Sequence, residues 1–375
     1  MILSVNKYKI ALIGFSLSKG GGEKVMANLS LFFDRKGIEV HNIIVLDGVT
    51  YPYAGTLVNM GLQKNTTNGF ANKWKRLQFL RSYLKANDFD FIIDFRPRTK
   101  AIQELIISRF IYKAKTILTV HSFLIDYYMP KSAWLTRLIY NQTYATVAIV
   151  DQIKERLESQ YQLKNLTTIA NPINLEEVNE KCNETVDIGF EYIIGIGQYA
   201  DNIKQFDKLI LSYANSILPQ KQIHLIILGT GNKTPLEELA LEKNVLKQVH
   251  FLGFQENPFK FMKNAKFFVL SSLNEGMPNV LLESLACGTP VVAFDCLTGP
   301  REIIMDKQNG LLVENQNIEK LTDAMNLIIE DVDLYNYCKT NASESIQRFS
   351  LDNIGKQWLN LMKIDDVYNK TDREV

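Results

Sequence analysis

The chain has 375 residues, 46% of them hydrophobic and 22% charged, which is enough for two domains with sizeable cores and excludes a disordered polyelectrolyte. A net charge of +1 gives no reason to expect a nucleic-acid partner, but it hides an asymmetry. Residues 1–170 hold 23 Lys and Arg against 12 Asp and Glu, and residues 171–375 hold 19 against 29. A basic half turned toward an anionic surface and unevenly solvated faces both agree with that balance.

In chain order, short apolar β-branched runs alternate with longer amphipathic stretches, the pattern of parallel strands covered by helices. The first half offers strands at Lys9–Phe15, Glu39–Leu46, Phe91–Phe95, Lys115–Val120 and Thr146–Val150, with helices at Glu23–Lys36, Trp74–Asn87 and Lys131–Tyr144. After the polar stretch Asn171–Gly189, strands are expected at Tyr192–Ile196, Ile223–Leu228, Val249–Phe251, Phe267–Leu270, Pro290–Ala293 and Gly310–Val313. Helices fill Lys204–Ile217, Leu236–Lys243, Asn257–Asn264, Asn279–Ala286 and Ile318–Glu330. The expected fold is α/β, with two Rossmann-like doubly wound domains, 1–170 and 171–350, facing each other across a cleft. A last helix, Leu351–Met362 within 351–375, is expected to cross back and brace the first domain.

Cys182, Cys287, Cys296 and Cys338 lack metal-ligand or redox spacing and read as reduced, packed thiols. The opening MILSVNKYKIALIGF runs into a strand pattern without a cleavable leader, and no stretch approaches the roughly 20 apolar residues of a membrane span. The expected location is the cytoplasm, or the inner face of the cytoplasmic membrane. Lys73–Arg81 and Tyr127–Arg137 mix basic and aromatic residues, which suits both a bilayer interface and ordinary helices with inward aromatics.

The most informative segment is Ser271-Ser-Leu-Asn-Glu-Gly-Met-Pro-Asn-Val-Leu-Leu-Glu283. A strand ends at Leu270, a polar loop follows, and a helix begins near Asn279, whose N-terminus suits a phosphate. Glu275 in the loop can reach a sugar hydroxyl, and Glu283, one turn into the helix, can accept both hydroxyls of a ribose. A loop acid and a helix-face acid without ligand remain the plain alternative.

This segment closely resembles the glutamate, seven residues, glutamate element of family 4 retaining glycosyltransferases, which have the two-domain B-type fold. The resemblance continues through Ser284-Leu-Ala-Cys-Gly-Thr-Pro290, Thr298-Gly-Pro-Arg-Glu-Ile303 and Asn309-Gly-Leu-Leu-Val313. It implies that the second domain binds the nucleotide sugar and the first the acceptor. Glu275 would hold the donor sugar. The backbone of Gly276, Met277, Pro278, Asn279 and Val280 would approach sugar and phosphate, and Glu283 would bind the ribose. Lys19-Gly-Gly-Gly-Glu-Lys-Val25 resembles the family's glycine turn, which would bring Gly20, Gly21 and Gly22 close to a diphosphate. Gly195-Ile-Gly-Gln-Tyr-Ala-Asp-Asn-Ile-Lys204 sits where the family shows Gly-Arg and then Lys. Lys204 would neutralise the leaving diphosphate, while the family's arginine is Gln198 here, so either Arg301 or another base makes good the lost charge or the donor sits differently. His121, at the end of a strand, occupies the place of the family's cleft histidine. Arg96, in Asp94-Phe-Arg96, is a candidate on the acceptor side.

Other motifs lead nowhere. Gly195-Ile-Gly197-Gln-Tyr-Ala200 mimics a dinucleotide fingerprint, but the next strand ends Leu228-Gly-Thr-Gly-Asn without the ribose-binding acid. The glycine turn lacks the Gly-Lys-Ser/Thr ending of a P-loop. Asp88-Phe-Asp90 reads as polarity at a strand entry and Asp331-Val-Asp333 as a surface turn, and the scattered His and Cys make no zinc site. The resemblance implies a metal-independent hexosyltransferase without cofactor, using a UDP-linked donor and a saccharide or polyprenyl-linked acceptor in lipopolysaccharide, capsule or lipid-linked oligosaccharide assembly. With Glu283 on the ribose there is no second carboxylate for a double-displacement pair, so retention would proceed by same-face displacement. A sugar-nucleotide epimerase of the same architecture and a non-catalytic sugar-nucleotide-binding protein stay open, the latter because of Gln198.

Overall fold

A computed structural model describes residues 8–18, 20–65, 69–199 and 202–365, so Lys19, Ala200, Asp201 and residues 366–375 lie outside the described residues. The chain divides into two compact units, residues 1–172 with 351–375, and residues 173–350.

The first unit holds β1 (Lys9–Gly14), β2 (Glu39–Ile44), β3 (Thr56–Asn59), β4 (Phe91–Asp94), β5 (Lys115–Val120), β6 (Ala145–Ala148) and β7 (Leu166–Thr168). They form one sheet in the order β3-β2-β1-β4-β5-β6-β7, with every pairing parallel. The second unit holds β8 (Tyr192–Ile196), β9 (His224–Leu228), β10 (Val249–Gly253), β11 (Phe268–Leu270), β12 (Val291–Asp295) and β13 (Gly310–Glu314), in the order β10-β9-β8-β11-β12-β13, again all parallel. Central strands such as Phe91-Ile-Ile-Asp94 are buried throughout, because helices cover both faces of a parallel sheet. The period of two still sorts β1: Ile10 and Leu12 join one apolar cluster with Phe32 and Trp358, while Ala11 and Ile13 join another with Leu80, Leu84 and Ile92.

Two strands lacked a readable signal. β3 is part-buried to exposed and β7 is three part-buried residues, so neither sheet edge carries a continuous apolar run. The polar stretch after Asn171 contains a helix, Leu175–Cys182, whose start is capped by Asn174 accepting from the Glu177 N–H. Asp331 corrects another expectation. It does not belong to a plain turn: its side chain accepts from the Leu334 N–H and caps the helix Val332–Ser345. All four cysteines are buried. Among the described residues no helix is long and apolar enough to cross a membrane.

The helix Leu351–Met362 belongs to the first unit, where it packs along the helix Gly21–Arg35. It buries Leu351, Ile354, Trp358, Leu359 and Met362 in the Phe32 cluster, and Tyr144 donates to the Leu361 carbonyl at 3.0 Å. Gly355 makes this approach possible, since a Cβ there would lie 2.5 Å from Phe32 ring carbons. Gly355→Ala should therefore destabilise the first unit by about 1–3 kcal/mol through overpacking, despite alanine's better helix propensity. Calorimetric unfolding checks this: one transition falls by several degrees, and an unchanged or raised midpoint would contradict the packing.

Candidate functional site

In the second unit the sheet order runs outward in both directions from the β8/β11 pair, so the loops leaving these neighbouring strands diverge at their carboxyl ends and leave a crevice there. Both loops carry the expected residues. They are joined where Leu273 N–H donates to the Ile203 carbonyl at 2.8 Å and Ser271 Oγ donates to the Lys204 and Gln205 carbonyls at 2.7 and 3.1 Å. On that footing Lys204 Nζ meets Glu275 Oε1 at 2.6 Å, and Ser272 Oγ donates to the same oxygen at 2.7 Å. Gly197 lets the lysine lie so close, because a Cβ there would stand 2.6 Å from Lys204 Cγ. The second glycine of the dinucleotide-like motif thus accommodates the lysine stem.

The loop after β12 clamps the Glu275 loop from the other side. Thr298 Oγ1 donates to the Glu275 carbonyl. Gly299, at φ +93°, presses so closely that a Cβ would lie 2.6 Å from the Gly276 carbonyl oxygen and from Pro278 Cδ. Met277 and Pro278 are buried, and the helix Asn279–Ala286 starts there, with its N-terminal dipole at the loop. Asn279 and Val280 are part-buried in its first turn, and Glu283 is 6% exposed one turn inside. The neighbouring Cys296 is buried, and burial together with the Glu275 charge pushes its thiol up to about 12, so it is no nucleophile at neutral pH. Gln198 is exposed beside β8. Arg301 is half exposed and forms a fork with Asp295, Nε to Oδ1 at 2.9 Å and Nη2 to Oδ2 at 2.5 Å, which holds its pKa above the ordinary value.

In the first unit Gly20 caps the helix Gly21–Arg35, two residues earlier than expected. The Glu23 carboxyl folds back over it, since a Gly20 Cβ would lie 1.9 Å from Glu23 Oε2. Burial raises the pKa of that carboxyl. Gly22 backs onto the His121 ring, 3.7 Å from a built Cβ to Cγ, so the glycine turn and His121 form one grouping. His121 Nε2 lies 3.0 Å from Thr119 Oγ1, and the ring is tilted against Phe95 and Tyr128. Burial, then the Arg98 charge, push its pKa down to about 4 against the opposing effect of a hydrogen bond that the ring donates to the Asn171 side chain, leaving a neutral imidazole at neutral pH.

Arg96 requires a correction. Its guanidinium turns inward, with Nε 3.0 Å and Nη2 2.7 Å from the Asp94 carboxylate, and Nη2 also 3.2 Å from Glu104 and 3.1 Å from Tyr112. Arg98 lies behind it, bonded to Tyr140 at 2.8 Å and to the Asp94 carbonyl at 3.0 Å. Burial would raise Asp94, but the Arg96 and Arg98 charges outweigh it and hold the carboxyl below its usual range. An arginine so engaged has a structural role and is not available to an acceptor.

Neither Ser272 nor the Asp295–Arg301 pair was singled out from sequence. The Ser-x-x-Glu spacing of Ser272 and Glu275 was the signal available for the first, as in a capping box. Among the described residues no three of His, Cys, Asp and Glu gather where they could hold a metal ion.

Removing Arg96 leaves Glu104 without its cation and takes from Asp94 its forked partner, so Arg96→Ala should cost about 3–5 kcal/mol by denaturant unfolding; a stable variant with a changed acceptor KM would instead restore the binding role. For His121 the folded pKa lies below the unfolded one, so the unfolded chain takes up a proton first as pH falls. Stability contributed by the neutral ring is therefore full above about 6.5 and lost toward about 4. His121→Gln should flatten the acid limb of the stability curve over that window, and an unaltered limb would mean the ring is not buried neutral.

Both units have counterparts among known proteins. The model described as Glycosyltransferase Family 4 matches residues 19–177, and that described as Glycosyl transferases group 1 matches residues 183–345. The N-acetylgalactosamine-N,N'-diacetylbacillosaminyl-diphospho-undecaprenol 4-alpha-N-acetylgalactosaminyltransferase of Campylobacter jejuni is 28% identical over 366 residues, covering 94% of this chain and 98% of its own. The amylovoran biosynthesis glycosyltransferase AmsD of Erwinia amylovora is 22% identical, with 95% and 99% covered. Among solved structures, Anabaena HepE in complex with UDP superimposes with a TM-score of 0.74 at 17% identity, over 95% of this chain and 99% of that one, a likeness of fold. With both units matched in order and the glutamate element at the crevice of the second sheet, the chain belongs to the family 4 glycosyltransferases of the two-domain B-type fold.

Proposed function

We propose that this glycosyltransferase moves a hexose or N-acetylhexosamine, with retention, from a UDP-linked donor to a lipid-linked saccharide in surface glycan synthesis. The observation that carries the reading is the contact of Lys204 with Glu275 at the β8/β11 crevice, above the helix that buries Glu283. A cation for the diphosphate, a carboxylate for the sugar hydroxyls and a second carboxylate for the ribose are what a nucleotide sugar needs. The UDP complex of HepE supports the base, and the C. jejuni relative, named for an undecaprenyl-diphosphate-linked acceptor, supports the acceptor class. Residues 1–170 would bind the acceptor and residues 171–350 the donor.

In this reading the bond from the anomeric carbon to the phosphate oxygen breaks as the acceptor hydroxyl approaches the same face. The acceptor oxygen–carbon bond forms, and the hydroxyl proton passes to the departing phosphate oxygen. Lys204 and the helix dipole at Asn279 offset the leaving charge, so no metal is required. Contact with the inner face of an anionic membrane is supported by Phe70 and Trp74, exposed at 82% and 49% and stacked at 6.5 Å, on a helix that also exposes Lys73 and Lys75.

Thermal-shift measurements with UDP-, GDP- and ADP-sugars in the absence of metal test the donor site. A ligand at about 100 times its Kd stabilises by roughly 2.7 kcal/mol, so a UDP-sugar should raise the midpoint by several degrees in the wild type and not in Glu283→Ala. Silence from the whole panel would remove the donor assignment.

A further inference from the structure

We infer that Glu275 is more than a sugar ligand: through its pairing with Lys204 it makes the site discriminate against the free nucleoside diphosphate and helps expel it after transfer. The inference rests on the reading of Lys204 as the diphosphate ligand and adds to it a competition built into the crevice. One oxygen of Glu275 takes both contacts, Lys204 Nζ at 2.6 Å and Ser272 Oγ at 2.7 Å. Both side chains are withdrawn from solvent, at 24% exposure for Lys204 and 13% for Glu275, so water screens their attraction less than on an open surface. The lysine stem is fixed over Gly197 and the carboxylate loop is fixed by Thr298 and Gly299, so the partners meet on prepared supports.

An arriving diphosphate must take Lys204 from this carboxylate. What Glu275 receives in return depends on the ligand. A nucleotide sugar carries hydroxyls that donate to the released oxygen, so the exchange leaves every charge with a partner. A nucleoside diphosphate brings no hydroxyl to that place and has an additional negative charge on its terminal phosphate, so it faces Glu275 with repulsion and no compensation. Once the sugar has moved to the acceptor, Glu275 loses its hydroxyl partner and reclaims Lys204. Ser272 is then a positioning residue that holds the carboxylate on the lysine side throughout. The other candidate cation of this edge, Arg301, is already forked to Asp295, so it offers the product little shelter from the competition.

Calorimetric titration of the full chain with UDP and with the UDP-sugar that gives the largest thermal shift tests this. Glu275→Gln should bind UDP about five-fold more tightly, roughly 1 kcal/mol, while binding the UDP-sugar more weakly. Its product-inhibition constant for UDP should fall by a similar factor. Glu275→Asp keeps the charge but loses one methylene of reach, so it should also bind UDP more tightly than the wild type. Tighter UDP binding in the Gln variant alone would reduce the effect to bulk charge and overturn the competition. Unchanged or weaker UDP binding in both variants, with ligand-free unfolding midpoints like the wild type's, would overturn it as well while leaving the donor site intact. Failure of the wild type to bind UDP or any UDP-sugar would instead remove the donor reading and this inference together.

Discussion

A parallel sheet sends every strand to the same edge, and each of these two sheets reverses its direction of winding once along the chain. That constraint decides where chemistry can be placed. At the reversal two loops leave adjacent strands, and here they stay bonded at Leu273 and Ile203, so side chains from both meet beside that contact. In the second unit those loops follow β8 and β11 and deliver Lys204 and Glu275 from positions 71 residues apart. The supports around them are backbone-to-side-chain bonds from Ser271 and Thr298 and the bare Cα atoms of Gly197 and Gly299.

The first unit uses the same edge differently. Past β1 and β5 it groups the glycine turn with a neutral His121, whereas past β4 it buries a compact set of charges, Asp94, Arg96, Arg98 and Glu104, with Tyr112 and Tyr140. Such a set is costly to desolvate and tolerable only when complete. Its effect reaches the neighbouring loop, because after burial the Arg98 charge is a second cause that keeps His121 unprotonated. A structural cluster thereby adds to the effect of burial on its neighbour.

The strands and helices that were legible in the sequence are those with two buried faces or a long amphipathic stripe. β8, β5 and the helices Asn279–Ala286, Ile318–Glu330 and Leu351–Met362 have the expected ends. Edge strands β3 and β7 escaped because their burial is partial, and the helices near Leu175 and Val332 escaped because polar caps look like loop. Glu275 and Glu283 were readable as a pair because a strand, loop and helix order fixes their spacing. Lys204 came from resemblance; no local pattern joins residues so far apart in sequence to one oxygen atom. Arg96 was misread although its own neighbourhood held the clue. Residues two apart on an extended chain share a side, so Asp94 and Arg96 at the end of β4 were placed to pair with each other.

The helix Leu351–Met362 lays its apolar stripe on Phe32 and Phe33 although the whole second unit separates them in the chain. During synthesis on the ribosome, residues 8–172 emerge with that face of the helix Gly21–Arg35 bare, and they wait for some 180 further residues before the cover is made. The second unit is continuous and has no such debt, so it is free to close first, the reverse of the usual N-terminal-first order of vectorial folding. The interval leaves an aromatic surface open to chaperones or to a neighbouring nascent chain, and loss of the closing segment would leave it open permanently.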